Sequence, residues 1–109
     1  MFCYQCEQTA KGEGCQKVGV CGKQPDVAAI QDLLVYVTAE MSWFAREAAK
    51  HGIKPERETN LLAAEALFHT LTNVDFDPER LRAKIAAVVA DRDDLAGKIS
   101  AKGGNTTLP

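Results

Sequence analysis

Residues 25–52, PDVAAIQDLLVYVTAEMSWFAREAAKHG, are the stretch that indicates the fold of this chain. Apolar side chains recur in it at alternating gaps of three and four residues, which is the period of one helix face. These positions are Val27, Ile30, Leu34, Val37, Met41, Phe44 and Ala48. Pro25 or Asp26 suits the first turn of a helix, and Gly52 suits a left-handed stop. The stretch therefore predicts a long amphipathic helix that buries one face against partners.

Two further helices are predicted downstream of this stretch. The second runs from about Pro55 to Leu71, and its apolar face is predicted to consist of Leu61, Ala64, Phe68 and Leu71. The third begins where Asp77 supplies a capping acid and Pro78 occupies the first helical position. Its apolar stripe contains Leu81, Ile85, Val88, Leu95 and Ile99, with Arg92 at the intervening heptad position and Gly103-Gly104 as the stop.

No strand pattern of useful length interrupts these segments. Three amphipathic helices with short links predict an all-α fold, a three-helix up-down-up bundle over residues 26–102. Residues 103–109, GGNTTLP, are predicted to connect the bundle to a further part of a longer protein. Residues 1–25 lack helical periodicity and are predicted to form a separate arm before the bundle.

The composition limits the class of protein. The chain has 109 residues, 46% of them hydrophobic and 26% charged, which suits one soluble globular domain. A net charge of −2 gives no basic excess, so a nucleic-acid partner is not expected. No apolar run reaches the roughly 18 residues of a membrane span, and no signal peptide precedes Cys3. A cytoplasmic location and no membrane partner are therefore predicted.

The N-terminal arm contains every cysteine of the chain. Residues 3–21, CYQCEQTAKGEGCQKVGVC, place them at 3, 6, 15 and 21, and four glycines at 12, 14, 19 and 22 allow tight turns around them. Disulfides are rare in a reducing cytoplasm, so the four thiols are interpreted as metal ligands. Lys11, Lys17 and Lys23 lie in the same arm as Glu7 and Glu13, a balance that suits a negatively charged cluster.

The spacing by itself leaves three interpretations open. Four thiolates can hold an iron–sulfur cubane, whose ligands converge from different directions. Four cysteines can also form a structural zinc site, although zinc ribbons usually have two pairs with short gaps. Cys3 and Cys6 have the C-x2-C spacing of a thioredoxin-type redox pair, but no predicted strand precedes them and no helix follows them.

Residues 1–36 resemble the N-terminus of the hybrid cluster proteins, which are also called prismane proteins or hydroxylamine reductases. The stretches FCYQCEQT, G-x-G-C and K-x-G-V-C-G-K stand in the family order, and the likeness continues more loosely through the first helix. The resemblance implies that Cys3, Cys6, Cys15 and Cys21 are the ligands of a [4Fe–4S] cluster. The short spacing is similar to the branch of the family with that cluster, whereas wider spacing accompanies [2Fe–2S].

The resemblance also implies a function. Family members are oxidoreductases that reduce hydroxylamine to ammonia or detoxify nitric oxide, at a hybrid iron–sulfur–oxygen cluster in downstream α/β domains. The ligands of that cluster are not present here, and His51 and His69 match none of them. The chain is thus expected to be an electron-relay part, with no catalytic residues of its own. Its partners would be an external electron donor and the downstream domains. The alternative is a non-catalytic module with a structural zinc or iron–sulfur site.

Overall fold

The computed structural model describes residues 1–109 and contains three α-helices and no strands. Helix α1 spans Pro25–Lys50, helix α2 spans Arg57–His69 and helix α3 spans Pro78–Ala101. One short 3-10 turn, Ala10–Gly12, lies within the N-terminal arm. The predicted all-α bundle with a preceding cysteine arm is confirmed. None of the three helices combines the length and the apolar character that crossing a membrane requires.

Helices α1 and α3 form the main packed pair, and their predicted apolar faces are confirmed. On α1, six of the seven stripe residues are buried, and Ile30 is partly buried against them. On α3, Leu81, Val88, Leu95 and Ile99 are buried, while Ile85 is partly buried. The core therefore runs along the length of these two helices, which suits a molecule with extents of 50 × 25 × 19 Å.

Helix α2 differs from its prediction in both bounds and orientation. It begins at Arg57 and ends at His69, rather than running from Pro55 to Leu71. The predicted face was wrong: Phe68 is 57% exposed, and Leu61, Ala64 and Leu71 are also exposed. The buried side chains are instead Thr59 and Ala66, with Leu62 and Ala63 packed partly against the core.

The sequence of α2 explains that error. Its central residues, LLAAEALF at 61–68, are apolar on almost every face, so periodicity does not select one of them. The small side chain of Ala66 permits close approach to α1 and α3, and it is completely buried. Packing thus favours a narrow face around Ala66, with Leu62 partly buried, and leaves Leu61, Leu67 and Phe68 exposed.

Arg92 occupies the polar position in the apolar stripe of α3. Its guanidinium donates to Glu40 on α1 and to Asp93, and Arg92 is only partly exposed. The hydrogen bond with Glu40 is the main reason why the pKa of Arg92 lies above its usual value. The pair links α1 and α3 where a leucine would otherwise continue the core.

Replacing Asp77 with alanine is expected to lower the free energy of unfolding by about 1 kcal/mol, within the usual range for a lost helix cap. The Asp77 carboxylate accepts hydrogen bonds from the backbone N–H groups of Glu79 at 3.0 Å and Arg80 at 3.4 Å. Urea titration followed by circular dichroism measures the change. Asp32→Ala, at an exposed position on α1, is the control. Equal losses in the two variants would contradict the capping role.

Candidate metal centre

The first and third cysteines are joined through their backbones. The N–H of Cys3 donates to the carbonyl of Cys15 at 2.9 Å, and the N–H of Cys15 donates to the carbonyl of Cys3 at 2.8 Å. The intervening chain reverses through the Ala10–Gly12 turn, where Lys11 has φ 55° and Gly12 has φ 68°. This antiparallel bridge brings Cys3 and Cys15, which have eleven residues between them, to adjacent positions.

A second turn brings Cys21 back toward Cys3 and Cys15. The N–H of Gly19 donates to the carbonyl of Lys23 at 2.7 Å, and the N–H of Gly22 donates to the carbonyl of Gly19 at 2.8 Å. A Cβ atom at Gly19 would lie 3.1 Å from Cys21 Sγ and 3.0 Å from Lys23 Cβ. Only glycine fits this turn without displacing the Cys21 sulfur or the side chain of Lys23.

All four cysteines line one cavity of about 90 Å³, and all four are free thiols. Thr72 and Asn73, from the loop between α2 and α3, form part of the wall. That loop also contacts the arm through Gln5, whose side-chain nitrogen lies 3.5 Å from Thr70 Oγ1. No three cysteine, histidine or acidic side chains meet closely enough to hold one metal ion. The four predicted site residues all line this one cavity.

The environment of the Cys15 thiol favours the thiolate form. Hydrogen bonds from the backbone N–H of Val20 and from that of Ala10, the latter at 3.4 Å, lower the pKa of Cys15 below its usual value. The positive charge of Lys23 acts in the same direction, and burial opposes it. Because a thiolate is the metal-binding form of cysteine, this environment prepares Cys15 for coordination.

Two further polar side chains in the cavity wall are almost completely buried. Lys23 is 4% exposed, and its Nζ lies 3.7 Å from Cys3 Sγ. Thr9 is 7% exposed, and its Oγ1 has no hydrogen-bond partner. Four thiols, a buried ammonium and an unpartnered hydroxyl suit an anionic group that carries several acceptor atoms. An iron–sulfur cluster with thiolate ligands is such a group.

Sequence reasoning did not find all residues of this cavity. In the sequence, Lys23 is only one of three lysines in the arm, and no local pattern distinguishes Thr9. Thr72 and Asn73 lie about 50 residues beyond the last cysteine, and no local pattern connects them with it. An Asn73 φ of 62° shows how tightly that loop turns beside the arm.

Neither of the two histidines of the chain is among the residues that line the cavity. His69 Nδ1 lies 2.9 Å from Asp75 Oδ2, and the Asp75 side chain is buried. His51 follows the last residue of α1. Neither histidine lines the cysteine cavity, so the candidate ligand set consists of sulfur alone.

Comparison with known proteins identifies the class to which this fold and site belong. The family model described as "Prismane/CO dehydrogenase family" matches residues 1–108. The chain belongs to that family.

Individual relatives share a single name. The hydroxylamine reductase of Syntrophobacter fumaroxidans is 58% identical over 104 residues, which are 95% of this chain and 19% of the relative. That of Maridesulfovibrio salexigens is 56% identical over 107 residues, which are 98% of this chain and 20% of the relative. That of Clostridium perfringens is 42% identical over 105 residues, which are 96% of this chain and 19% of the relative. The chain thus spans about a fifth of the length of the curated relatives it matches.

Proposed function

We propose that this chain is the electron-relay part of a hydroxylamine reductase-like protein and holds a [4Fe–4S] cluster on its four cysteines. The observation that carries the proposal is the cavity lined by Cys3, Cys6, Cys15 and Cys21 in a member of the prismane family. A cluster of several irons takes ligands from around its surface, whereas a single zinc ion takes four ligands that converge on one point. The four thiols line a cavity, and this arrangement supports an iron–sulfur cluster over a single zinc ion.

The residues of the arm have a holding and tuning role in this proposal. The four thiolates would coordinate iron, and the backbone N–H groups of Ala10 and Val20 would moderate the negative charge on Cys15. When bound, such a cluster accepts and donates one electron at a time. Electrons would arrive from an external donor and leave toward downstream hybrid-cluster domains, where hydroxylamine is reduced to ammonia.

In this proposal, three segments of the chain have separate roles. Residues 1–25 form the cluster-binding arm, residues 26–102 form the bundle on which it rests, and residues 103–109 connect to the downstream part. The bundle supports the arm through the Gln5–Thr70 contact and through the residues of the α2–α3 loop in the cavity wall. The chain itself would perform no bond-breaking chemistry, because four thiolates leave no open iron position for hydroxylamine.

Anaerobic reconstitution tests the proposal. The chain is expected to take up about four iron and four sulfide, to turn brown with broad absorbance and to bleach when dithionite supplies one electron. Purification without oxygen and metal analysis of the native protein complete the measurement. Stoichiometric zinc without sulfide would contradict the cluster and favour a structural zinc module.

A turnover assay tests whether the chain only transfers electrons or also catalyses the reduction of hydroxylamine. The reconstituted chain, mixed with hydroxylamine and reduced viologen, is expected to produce no more ammonia than a cluster-free control. Sustained production that requires the cluster would show that this part is itself catalytic.

A further inference from the structure

We propose that Thr9 and Lys23 are potential-determining residues, which donate hydrogen bonds to the sulfur atoms of the bound cluster and favour its reduced state. Both side chains line the cysteine cavity and are more than nine-tenths buried. Neither belongs to the set of four ligands. The inference rests on the proposed function, because it assigns roles toward the cluster that the four cysteines would hold.

Lys23 has no acidic partner in the chain. An ammonium group is rarely buried without a compensating negative charge, because removal from water is costly. The only hydrogen-bond partner of its Nζ is Cys3 Sγ, at 3.7 Å. In the proposed holo state, thiolate and cluster sulfur in the adjoining cavity supply the compensating charge. One-electron reduction adds one more negative charge beside this ammonium, so Lys23 stabilises the reduced cluster more than the oxidised one.

Thr9 supplies the second donor. Its backbone carbonyl accepts a hydrogen bond from the N–H of Gly12 at 3.0 Å, which places Thr9 at the start of the turn in the arm. The N–H of the next residue, Ala10, points at Cys15 Sγ from 3.4 Å. The Thr9 hydroxyl itself is buried without a partner. Buried hydroxyl groups normally have one, so an acceptor missing from the protein is expected in the adjoining cavity. Cluster sulfur is the acceptor that the ligand set implies.

The test is a redox titration of reconstituted chains, in which one electron is taken up from dithionite and no covalent bond changes. Lys23→Met is expected to lower the equilibrium constant for reduction about tenfold, which corresponds to a potential about 59 mV more negative. Thr9→Val keeps the shape of the side chain without its hydroxyl, and about a threefold decrease is expected because a neutral donor contributes less than a charged one.

Matched variants separate this role from a general effect of charge or polarity. Lys17→Met and Thr106→Val remove the same groups from exposed positions. In these variants the equilibrium constant for reduction is expected to change by less than about twofold. Lys23→Arg and Thr9→Ser retain the donors and are expected to restore most of the potential. The electron paramagnetic resonance signal of the reduced cluster provides a second readout.

The outcomes distinguish the two proposals. A wild-type chain that takes up no iron and sulfide would overturn the proposed function itself. Fully loaded Lys23→Met and Thr9→Val chains with unchanged potentials would overturn this inference and leave the cluster assignment intact. If Lys23→Met loads incompletely, the comparison is made between Lys23→Gln and Lys23→Arg at equal iron content. Equal potentials in that pair would also overturn the role of Lys23.

Discussion

A chain in which Cys15 is replaced by serine is expected to lose most of its iron and sulfide on reconstitution while keeping its three helices. Cys15 is the buried cysteine of the site, and two backbone N–H groups favour its thiolate. A serine hydroxyl is a much weaker ligand for iron, because it loses its proton far less readily than a thiol and does not supply a thiolate. Iron and sulfide analysis, absorbance and circular dichroism measure the two parts of the result.

Val18→Ser is the matched control for this change. Val18 lies in the same arm, is exposed and does not line the cysteine cavity, so full cluster content is expected. The backbone bridge between Cys3 and Cys15 does not involve the Cys15 side chain, so serine leaves it available. A complete and stable cluster in Cys15→Ser would show that another group supplies the fourth ligand.

Replacing Leu34 with alanine is expected to lower the free energy of unfolding by about 2–5 kcal/mol. Leu34 is among the largest completely buried side chains and lies in the middle of the α1 stripe, packed in the core that α1 shares with α3. Its truncation removes buried apolar surface and leaves a cavity that the two long helices cannot close. Urea unfolding of the metal-free chain, followed by circular dichroism, gives the measurement without any contribution from bound metal.

Leu33 provides the control within the same helix turn. Its side chain is 49% exposed, and Leu33→Ala is expected to cost less than about 1 kcal/mol. The pair changes the same chemical group at adjacent positions, so helix propensity cancels in the comparison. Similar losses in both variants would contradict the assigned register of α1 against α3.

The two substitutions also test whether arm and bundle are separable. Cys15→Ser should affect cluster content with little effect on the apolar core, and Leu34→Ala should affect the core directly. If the Cys15→Ser chain lost its helices, residues 1–25 would have to be regarded as part of the folding unit. The division of the chain at the start of α1 would then be wrong.

The amino-acid sequence by itself determined the helices that carry a strong local signal. Periodicity placed the buried faces of α1 and α3, because each has apolar residues on one side and polar residues on the other. Asp77 and Pro78 placed the start of α3 to the residue, because capping involves only neighbouring groups. The clustering of four cysteines in the arm likewise needed no fold to be recognised.

Tertiary structure decided the features that depend on contacts between distant residues, or on a choice between helix faces of nearly equal apolar character. The face of α2 is one, since LLAAEALF offers several apolar faces and close packing of Ala66 selects among them. The backbone bridge between Cys3 and Cys15 is another such feature, and so is the position of Thr72 in the wall of the cysteine cavity. The burial of Thr9 and Lys23 also belongs here, because the same side chains in an open loop would be solvated. Local signals act within a few residues, whereas these contacts join positions from a dozen to about seventy residues apart and form only when the segments pack and exclude water together.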